Sequence, residues 1–239
     1  MKFIDLTFPT PEENLAFDEA LLEYSENGFD GEILRFWEPD AYFIVLGYSG
    51  RVKREVRMES CEKRGIPVLR RPTGGGTVLV GPGCLNFALI LKMDFSKALF
   101  NITRANAYVL ERHSRALEKL LGKKVEIRGH TDLTLGPLKF SGNAQRRGKR
   151  ALLFHGSFLL QMDLPLIEAL LPLPEKRPAY RESRSHRDFL INLNLPASVI
   201  RKALQKAWGA YDPLKKVPGE KIADLVRQKY GDPHWNLKF

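Results

Sequence analysis

The sequence predicts an α/β (α+β) fold, a mixed and largely antiparallel sheet flanked by helices, and three observations lead there. Helical periodicity and β-rich runs alternate along all 239 residues, 44% of the residues are apolar, and Gly, Pro and Asn turns cut the middle of the chain into short strands. There is no internal repeat and no low-complexity linker, so one domain over residues 1–239 is expected, with 197–239 as its helical end and no separate accessory domain. Fourteen Phe, seven Tyr and three Trp supply a core without help from a metal or disulfide.

The elements follow in order. Thr10 as cap, Pro11 in the first turn and acidic Glu12 and Glu13 open a helix over 11–27, whose stripe of Leu15, Phe17, Leu21 and Leu22 includes Asp18 and closes at Asn27-Gly28. Two β-rich runs within 31–49 flank Glu38-Pro39-Asp40 and read as a hairpin. A second helix is expected over 52–64, ending at Gly65. Residues 66–93 read as two adjacent strands joined by a glycine loop. The clearest amphipathic helix, over 102–121, repeats Ala105, Tyr108, Val109, Ala116, Leu117 and Leu120 before Gly122. Three or four short strands should follow to residue 161, then a short helix and Pro-rich loop over 164–178. The basic tract 177–190 reads as a mobile surface loop, and helices over 197–209 and 219–230 complete the chain.

Composition narrows the function classes. Cys61 and Cys84 are too few for a disulfide framework and lack zinc-site spacing, so a reducing compartment, the cytoplasm, is expected. The first residues have no secretory h-region, and the longest apolar runs fall far short of the ~20 residues that span a bilayer. The net charge of +10 favours anionic partners: nucleotides, nucleic acid or an acidic protein.

Two constellations suggest chemistry. In Arg70-Arg71-Pro72-Thr73-Gly74-Gly75-Gly76-Thr77, three glycines expose backbone N–H groups to a carboxylate or phosphate, with paired arginines beside them. It is not a Walker loop, and a flexible hairpin with solvated arginines is the plainer alternative. In Lys139-Phe140-Ser141-Gly142-Asn143-Ala144-Gln145, a lysine enters a small-residue turn, placed to stabilise the charge of an acyl adenylate; an exposed hairpin lysine is the plainer alternative. His113 is expected to be a surface or half-buried packing residue, and Trp37, Trp208 and Trp235 core anchors. No G-x-S-x-G elbow accompanies His130-Thr131-Asp132, which argues against a Ser-His-Asp hydrolase.

Taken in order, RRPTGGGTV, GHTDL, KFSGNAQ and HGSFLL resemble the motif series of the lipoate-protein ligase A family within the biotin/lipoate ligase superfamily. The resemblance begins at LAFDEALLE and ends at KYGDPHWNLKF, nearly the whole chain. It implies a class II synthetase and biotin-ligase type of fold, and activation of lipoate by ATP with Mg²⁺ to lipoyl-AMP. The acyl group would then pass to a lysine of a lipoyl carrier domain, of the glycine cleavage H protein or 2-oxoacid dehydrogenase E2 type. Carried over by position, Arg70, Arg71, Thr73, Gly74, Gly75, Gly76 and Thr77 would hold the acyl group and phosphate, with His155 and Gly156 as floor. Lys139 would be the catalytic electrophilic stabiliser at the carboxylate and α-phosphate, and Asp132 would assist Mg²⁺ or the adenylate. Ser141, Gly142, Asn143 and Ala144 would line the nucleotide site, with Arg181 and Arg184 from the tract Arg177–Arg187, which resembles the family's adenylate-binding loop and contains Tyr180 and His186.

The sequence also departs from the family. Related octanoyltransferases and amidotransferases place a Cys nucleophile shortly before the Lys-x-x-Gly segment, where this chain reads Ile127-Arg128-Gly129-His130-Thr131-Asp132. The family often has a His after the glycine cluster, where Val78-Leu79-Val80-Gly81 stands here, and the chain stops near the expected end of the catalytic domain. Three alternatives stay open. The chain could transfer a preformed octanoyl or lipoyl group through Cys84, it could need an accessory subunit for adenylation, or it could be a non-catalytic basic module binding a carrier or, less in keeping with the motifs, nucleic acid.

Overall fold

The computed structural model describes residues 1–93, 98–99 and 101–239. Strand β1 (Lys2–Asp5), not anticipated from the sequence, lies parallel to β2 (Ile33–Trp37). Helix α1 (Pro11–Glu26) joins them and opens with a capping box: Thr10 Oγ1 accepts from Glu13 N, and the Glu13 carboxylate accepts from Thr10 N.

The expected hairpin does not form. β2 pairs with β1 and with residues 86–90, whereas β3 (Phe43–Leu46) pairs with residues 68–70 and 78–80 in a second sheet. Every residue of β2 and β3 is buried, so each needs a neighbour on both edges and cover on both faces, which one hairpin cannot supply. The expected helix 52–64 is likewise two pieces, α2 (Val52–Glu55) and α3 (Met58–Glu62). Val56 between them is extended and buried, and Arg57 N donates to Leu170 O instead of continuing a helix. Nor are the strands around the glycine turn neighbours, since β3 lies between β4 (Val68–Arg70) and β5 (Val78–Val80). A third strand, β6 (Cys84–Lys92), returns to the larger sheet.

The rest follows expectation more closely. Helix α4 (Ile102–Leu121) is capped by Asn101 and ends at left-handed Gly122. Then come four strands, β7 (Glu126–Arg128), β8 (Asp132–Leu135), β9 (Leu138–Arg147) and β10 (Ala151–Leu159), and helix α5 (Leu164–Leu170). A 3-10 turn (Ala179–Arg181) and α6 (His186–Phe189) order the basic tract. Helix α7 (Ala197–Trp208), short β11 (Asp212–Pro213), α8 (Gly219–Leu225) with a π-helical turn (Val226–Tyr230), and α9 (Pro233–Asn236) finish the chain.

The fold is therefore mixed α/β with a large, mostly antiparallel sheet flanked by helices. Among the described residues its strand order is β11-β1-β2-β6-β10-β9-β8-β7, with a three-stranded sheet β4-β3-β5 beside it. One core lies between the large sheet, α1, α8 and the small sheet; the other lies on the opposite face under α4 and α7. Among the described residues no helix is long and apolar enough to cross a membrane.

His113 of α4 is fully buried in the second core, contrary to the surface or half-buried position expected, and its Nε2 accepts from Trp208 Nε1 at 2.9 Å. Burial, and then the charge of Arg112, pull its pKa from 6.5 down to about 3. Between those values the unfolded chain binds the proton and the folded one does not. Stability should therefore fall as pH drops below about 6.5, by up to about 1.4 kcal/mol per pH unit from this group, and be untouched by it above that. Urea unfolding should show His113→Gln, which keeps an acceptor but cannot titrate, losing less stability than wild type between about pH 7.5 and 5. Equal losses would contradict the assignment.

Candidate active site

The small sheet leans over the cavity face of the large one, and a cavity of about 550 Å³ lies between them. The triple-glycine turn and the later lysine meet there: Gly75, Gly76 and Thr77 line one side, and Lys139, Ser141, Gly142, Asn143, Ala144, His155 and Gly156 the other.

Arg71 shapes the turn. Its Nη2 donates to Gly74 O and Gly76 O, both at 2.8 Å, and its Nε to Thr73 Oγ1 at 2.9 Å. Close approach then requires glycine twice: a Cβ on Gly47 would sit 2.0 Å from Gly75 O, and Gly75 itself has φ +92°. Burial pulls the Arg71 guanidinium down to about 10, with Glu55 opposing, so it stays charged at neutral pH. Glu55 also lines the cavity and accepts from Thr77 Oγ1 at 2.6 Å.

From Thr73 a relay crosses to the large sheet. Thr73 Oγ1 meets His155 Nε2 at 2.8 Å, His155 Nδ1 meets Asp18 Oδ2 at 3.0 Å, and Asp18 Oδ1 takes Arg35 Nη1 at 2.6 Å. The Asp18 carboxylate can only accept, so His155 Nδ1–H donates to it, and in that tautomer of the neutral ring Nε2 accepts from the Thr73 hydroxyl. Arg35 is fully buried and also donates to Asn14 O and Asn14 Oδ1, so the ion pair has the extra hydrogen bonds that burial demands.

At the other end, Lys139 Nζ is 2.7 Å from Asp132 Oδ1, and Tyr180 OH donates to Asp132 Oδ2 at 2.7 Å. Burial, then Asp132, push the Tyr180 hydroxyl well above its ordinary range, so it remains a donor. Asp132, expected to assist Mg²⁺ or the adenylate, holds Lys139 with one oxygen and Tyr180 with the other, and the described residues contain no group of three or more His, Cys, Asp or Glu that could hold a metal. One carboxylate fits a Mg²⁺ that arrives on substrate phosphates, not one held by protein ligands alone. Gly156 is required beneath Asn143, whose Oδ1 would lie 2.0 Å from a Cβ there.

Across the large sheet these residues form a row. Trp37 pairs with Asn86, Asn86 with Ser157, Ser157 with Gly142, and Gly142 with Asp132, and all five line the cavity. At about 4.8 Å per strand the row spans about 19 Å. Its Asp132 end is ionic, with Lys139 over Gly142, while the Trp37 end is walled by Leu15, Val45, Leu79 and Val80.

Not every expected residue faces this space. Arg70 does not line it: fully buried, it donates to the carbonyls of Gly47, Tyr48 and Gly50, and to Trp235 O and Asn236 O, clasping the C-terminal segment to β4. Buried Thr73 and exposed Gly74 do not line it either, and Arg184 is outside the cavity, spending its guanidinium on the carbonyls of Pro137, Tyr180 and Arg181. Arg181 does line it, buried and stacked 4.6 Å over Phe189, as do Arg177 and His186, so the basic tract forms a wall rather than a free surface loop. Neither cysteine borders the cavity. Cys84 is buried, its Sγ 3.7 Å from Asn86 Oδ1, and burial pushes its thiol up to about 12.

Sequence reasoning missed Asp18, Glu55, Asn86 and Ser157 as cavity residues and read Trp37 only as a core anchor. A signal existed for two of them. Asp18 interrupts the apolar stripe of α1 and Asn86 the apolar run of β6, and a buried polar side chain needs partners.

The family model of the lipoyl protein ligase A/B catalytic domain matches residues 10–201. The chain belongs to this family. Within the family, it is 28% identical to the octanoyltransferase LipM of Brevibacillus brevis, over 96% of this chain and 95% of that one. It is also 28% identical to lipoate-protein ligase A subunit 1 of Thermoplasma acidophilum, over 94% of this chain and 91% of that protein. A solved lipoate-protein ligase A bound with ATP superposes with a TM-score of 0.82 at 26% identity, covering 99% of this chain and 98% of that chain. The protein is thus an enzyme of the lipoyl and octanoyl transfer family, with named relatives on both the ligase and the transferase side.

Replacing Arg70 tests its structural placement. Arg70→Met should lower the unfolding free energy by about 3 kcal/mol, measured by urea denaturation, because buried carbonyls lose a charged donor. Unchanged stability would contradict the clasp.

Proposed function

We propose that the chain is a lipoate-protein ligase that activates lipoate with ATP to lipoyl-AMP and passes the acyl group to a lysine of a lipoyl carrier domain. The observation that carries this reading is that the cavity holds Lys139 at its ionic end and no thiol anywhere along it. An acyl-enzyme route needs a nucleophile at the carbonyl, and Cys84, beside Asn86 on β6 but not lining the cavity, has a thiol that stays protonated at neutral pH. An adenylate route needs none.

In that reaction a carboxylate oxygen of lipoate attacks the α-phosphorus of ATP and pyrophosphate leaves. The carrier amine then attacks the acyl carbonyl, loses a proton, and AMP departs. Lys139, held by Asp132 until an anion arrives, turns its ammonium to the carboxylate and α-phosphate, where charge builds up. Arg181 and Arg177 add positive charge at the same end. Gly142, Asn143 and Ala144 border the nucleotide, and the turn at Gly75 and Gly76 covers the acyl chain. No step is assigned to a metal held by this chain.

Support for the carrier class comes from the similar bi-partite archaeal lipoate protein ligase of Thermoplasma acidophilum, solved with its E2 lipoyl domain, and support for ATP from the ATP-bound ligase; the two-part archaeal ligase makes a second polypeptide worth adding to the assay. The transferase reading rests on the likeness to LipM. Purified protein with ATP, Mg²⁺, lipoate and a lipoyl-domain acceptor, with and without a candidate second subunit, should label the acceptor only when ATP is present. Lys139→Ala should cut lipoyl-AMP formation at least about 100-fold with the fold retained. Cys84→Ser should keep ATP-dependent transfer within about twofold, since its thiol touches no reacting atom. ATP-independent transfer from an octanoyl carrier, lost in Cys84→Ser with acyl-enzyme trapped in wild type, would replace the ligase with a transferase.

A further inference from the structure

The carrier amine reaches the cavity with a surplus proton. A lysine side chain is an ammonium at neutral pH, only about one in 2,500 being uncharged at pH 7, and only the uncharged form attacks an acyl carbonyl. AMP leaves as an anion and takes no proton with it, so acyl transfer calls for a base. Most titratable groups of the cavity are already engaged. Asp18 pairs with Arg35 and Asp132 with Lys139, Glu55 accepts from Thr77 Oγ1 and Arg51 N, and His155 lies between Thr73 and Asp18. His130 is exposed, and no hydrogen bond among the described residues fixes its ring.

His186 is placed differently. It opens α6, is 9% exposed, and lines the cavity in the wall formed by the basic tract. Its Nε2 lies 3.2 Å from Pro172 O, and a carbonyl only accepts, so Nε2 carries the hydrogen and Nδ1 keeps a lone pair with no partner among the described residues. The helix is tied to the reacting end. Leu190 N donates to His186 O at 3.0 Å, Leu190 is bridged to Lys139, and Ile191 N donates to Lys139 O at 2.9 Å. One helical turn therefore separates His186 from the residue bridged to Lys139. The charges acting on the ring are Arg181 from the 3-10 turn, Glu168 from α5 and Lys139 from β9. Burial, with the two cations, outweighs Pro172 O and Glu168 and holds the imidazole below its ordinary pKa, so it is uncharged at neutral pH.

We propose that His186 is the general base of acyl transfer, its Nδ1 taking the proton that the carrier lysine must shed. This rests on the ligase reading above. The lysine nitrogen bonds to the acyl carbon, and the bond from that carbon to the phosphate oxygen breaks, its electron pair leaving on AMP. The two protons the nitrogen loses pass one at a time through Nδ1 to water. Single-turnover transfer from supplied lipoyl-AMP to a lipoyl-domain acceptor, followed from pH 7 to 9, tests this without ATP. Wild type should be nearly flat over that range, because the base works on the ammonium form. His186→Gln, which can still donate to Pro172 O but cannot take a proton, should be about 100-fold slower at pH 7 and climb about tenfold per pH unit with the uncharged lysine. Hydroxylamine is uncharged at neutral pH, so the ratio of lysine to hydroxylamine acylation should fall at least about tenfold in the variant. A wild-type rate that itself climbs tenfold per pH unit would overturn the proposal whether or not the variant folds. So would an unaltered profile in the variant, equal losses toward both acceptors, or no transfer from lipoyl-AMP at all. A wild type with the flat profile that makes no lipoyl-AMP from ATP would overturn the ligase reading and leave this one standing.

Discussion

Arg71, Thr73, His155, Asp18 and Arg35 form one hydrogen-bonded line from the glycine turn, across the large sheet, into helix α1. Without it the small sheet would meet the large one mainly through apolar contact, which resists separation but does not fix registration. The relay sets both the height and the angle of the turn. It ends on the buried Asp18–Arg35 pair, where removing either partner strands the other's charge inside the protein. Positioning of the kind an adenylate enzyme relies on needs a support of this stiffness, because reacting atoms misplaced by an ångström lose much of the rate.

Held in this way, the cavity separates two jobs along one row of paired residues. The ionic end gathers Lys139, Asp132 and Tyr180 with the arginines of the basic tract, while the other end is built from side chains of α1, β3 and β5. Lys139 rests on a carboxylate that holds it without burying it, so its ammonium is available for exchange to an incoming anion. The excess of basic residues that gives a net charge of +10 thus has a focus inside the molecule as well as on the surface.

Much of this was legible in the sequence, and what was missed has physical causes. Helices α1 and α4 were found nearly to the residue because caps and periodicity are local. The motif series placed the glycine turn and Lys139, and both line the cavity. The pairing of β2 and β3 was misread because adjacency in sequence suggests a hairpin, whereas their complete burial sends them to different sheets. Arg70 and Arg71 look alike in sequence, yet strand alternation points one at the C-terminal segment and the other at the glycine turn. The basic tract has no period because its order comes from Tyr180 bonding Asp132 and from arginines stacked on Phe189, contacts that sequence spacing does not encode.

The central claim is that one cavity holds an acid with its carboxyl carbon at Lys139 and its chain beneath the glycine turn. A crystal structure of the protein with a non-hydrolysable lipoyl-adenylate analogue measures this directly. The account predicts the acyl–phosphate mimic within hydrogen-bond reach of Lys139 Nζ and the acyl chain inside the cavity, under Gly75 and Gly76. An analogue bound with its tail toward the basic tract, or seated outside the cavity, would contradict it.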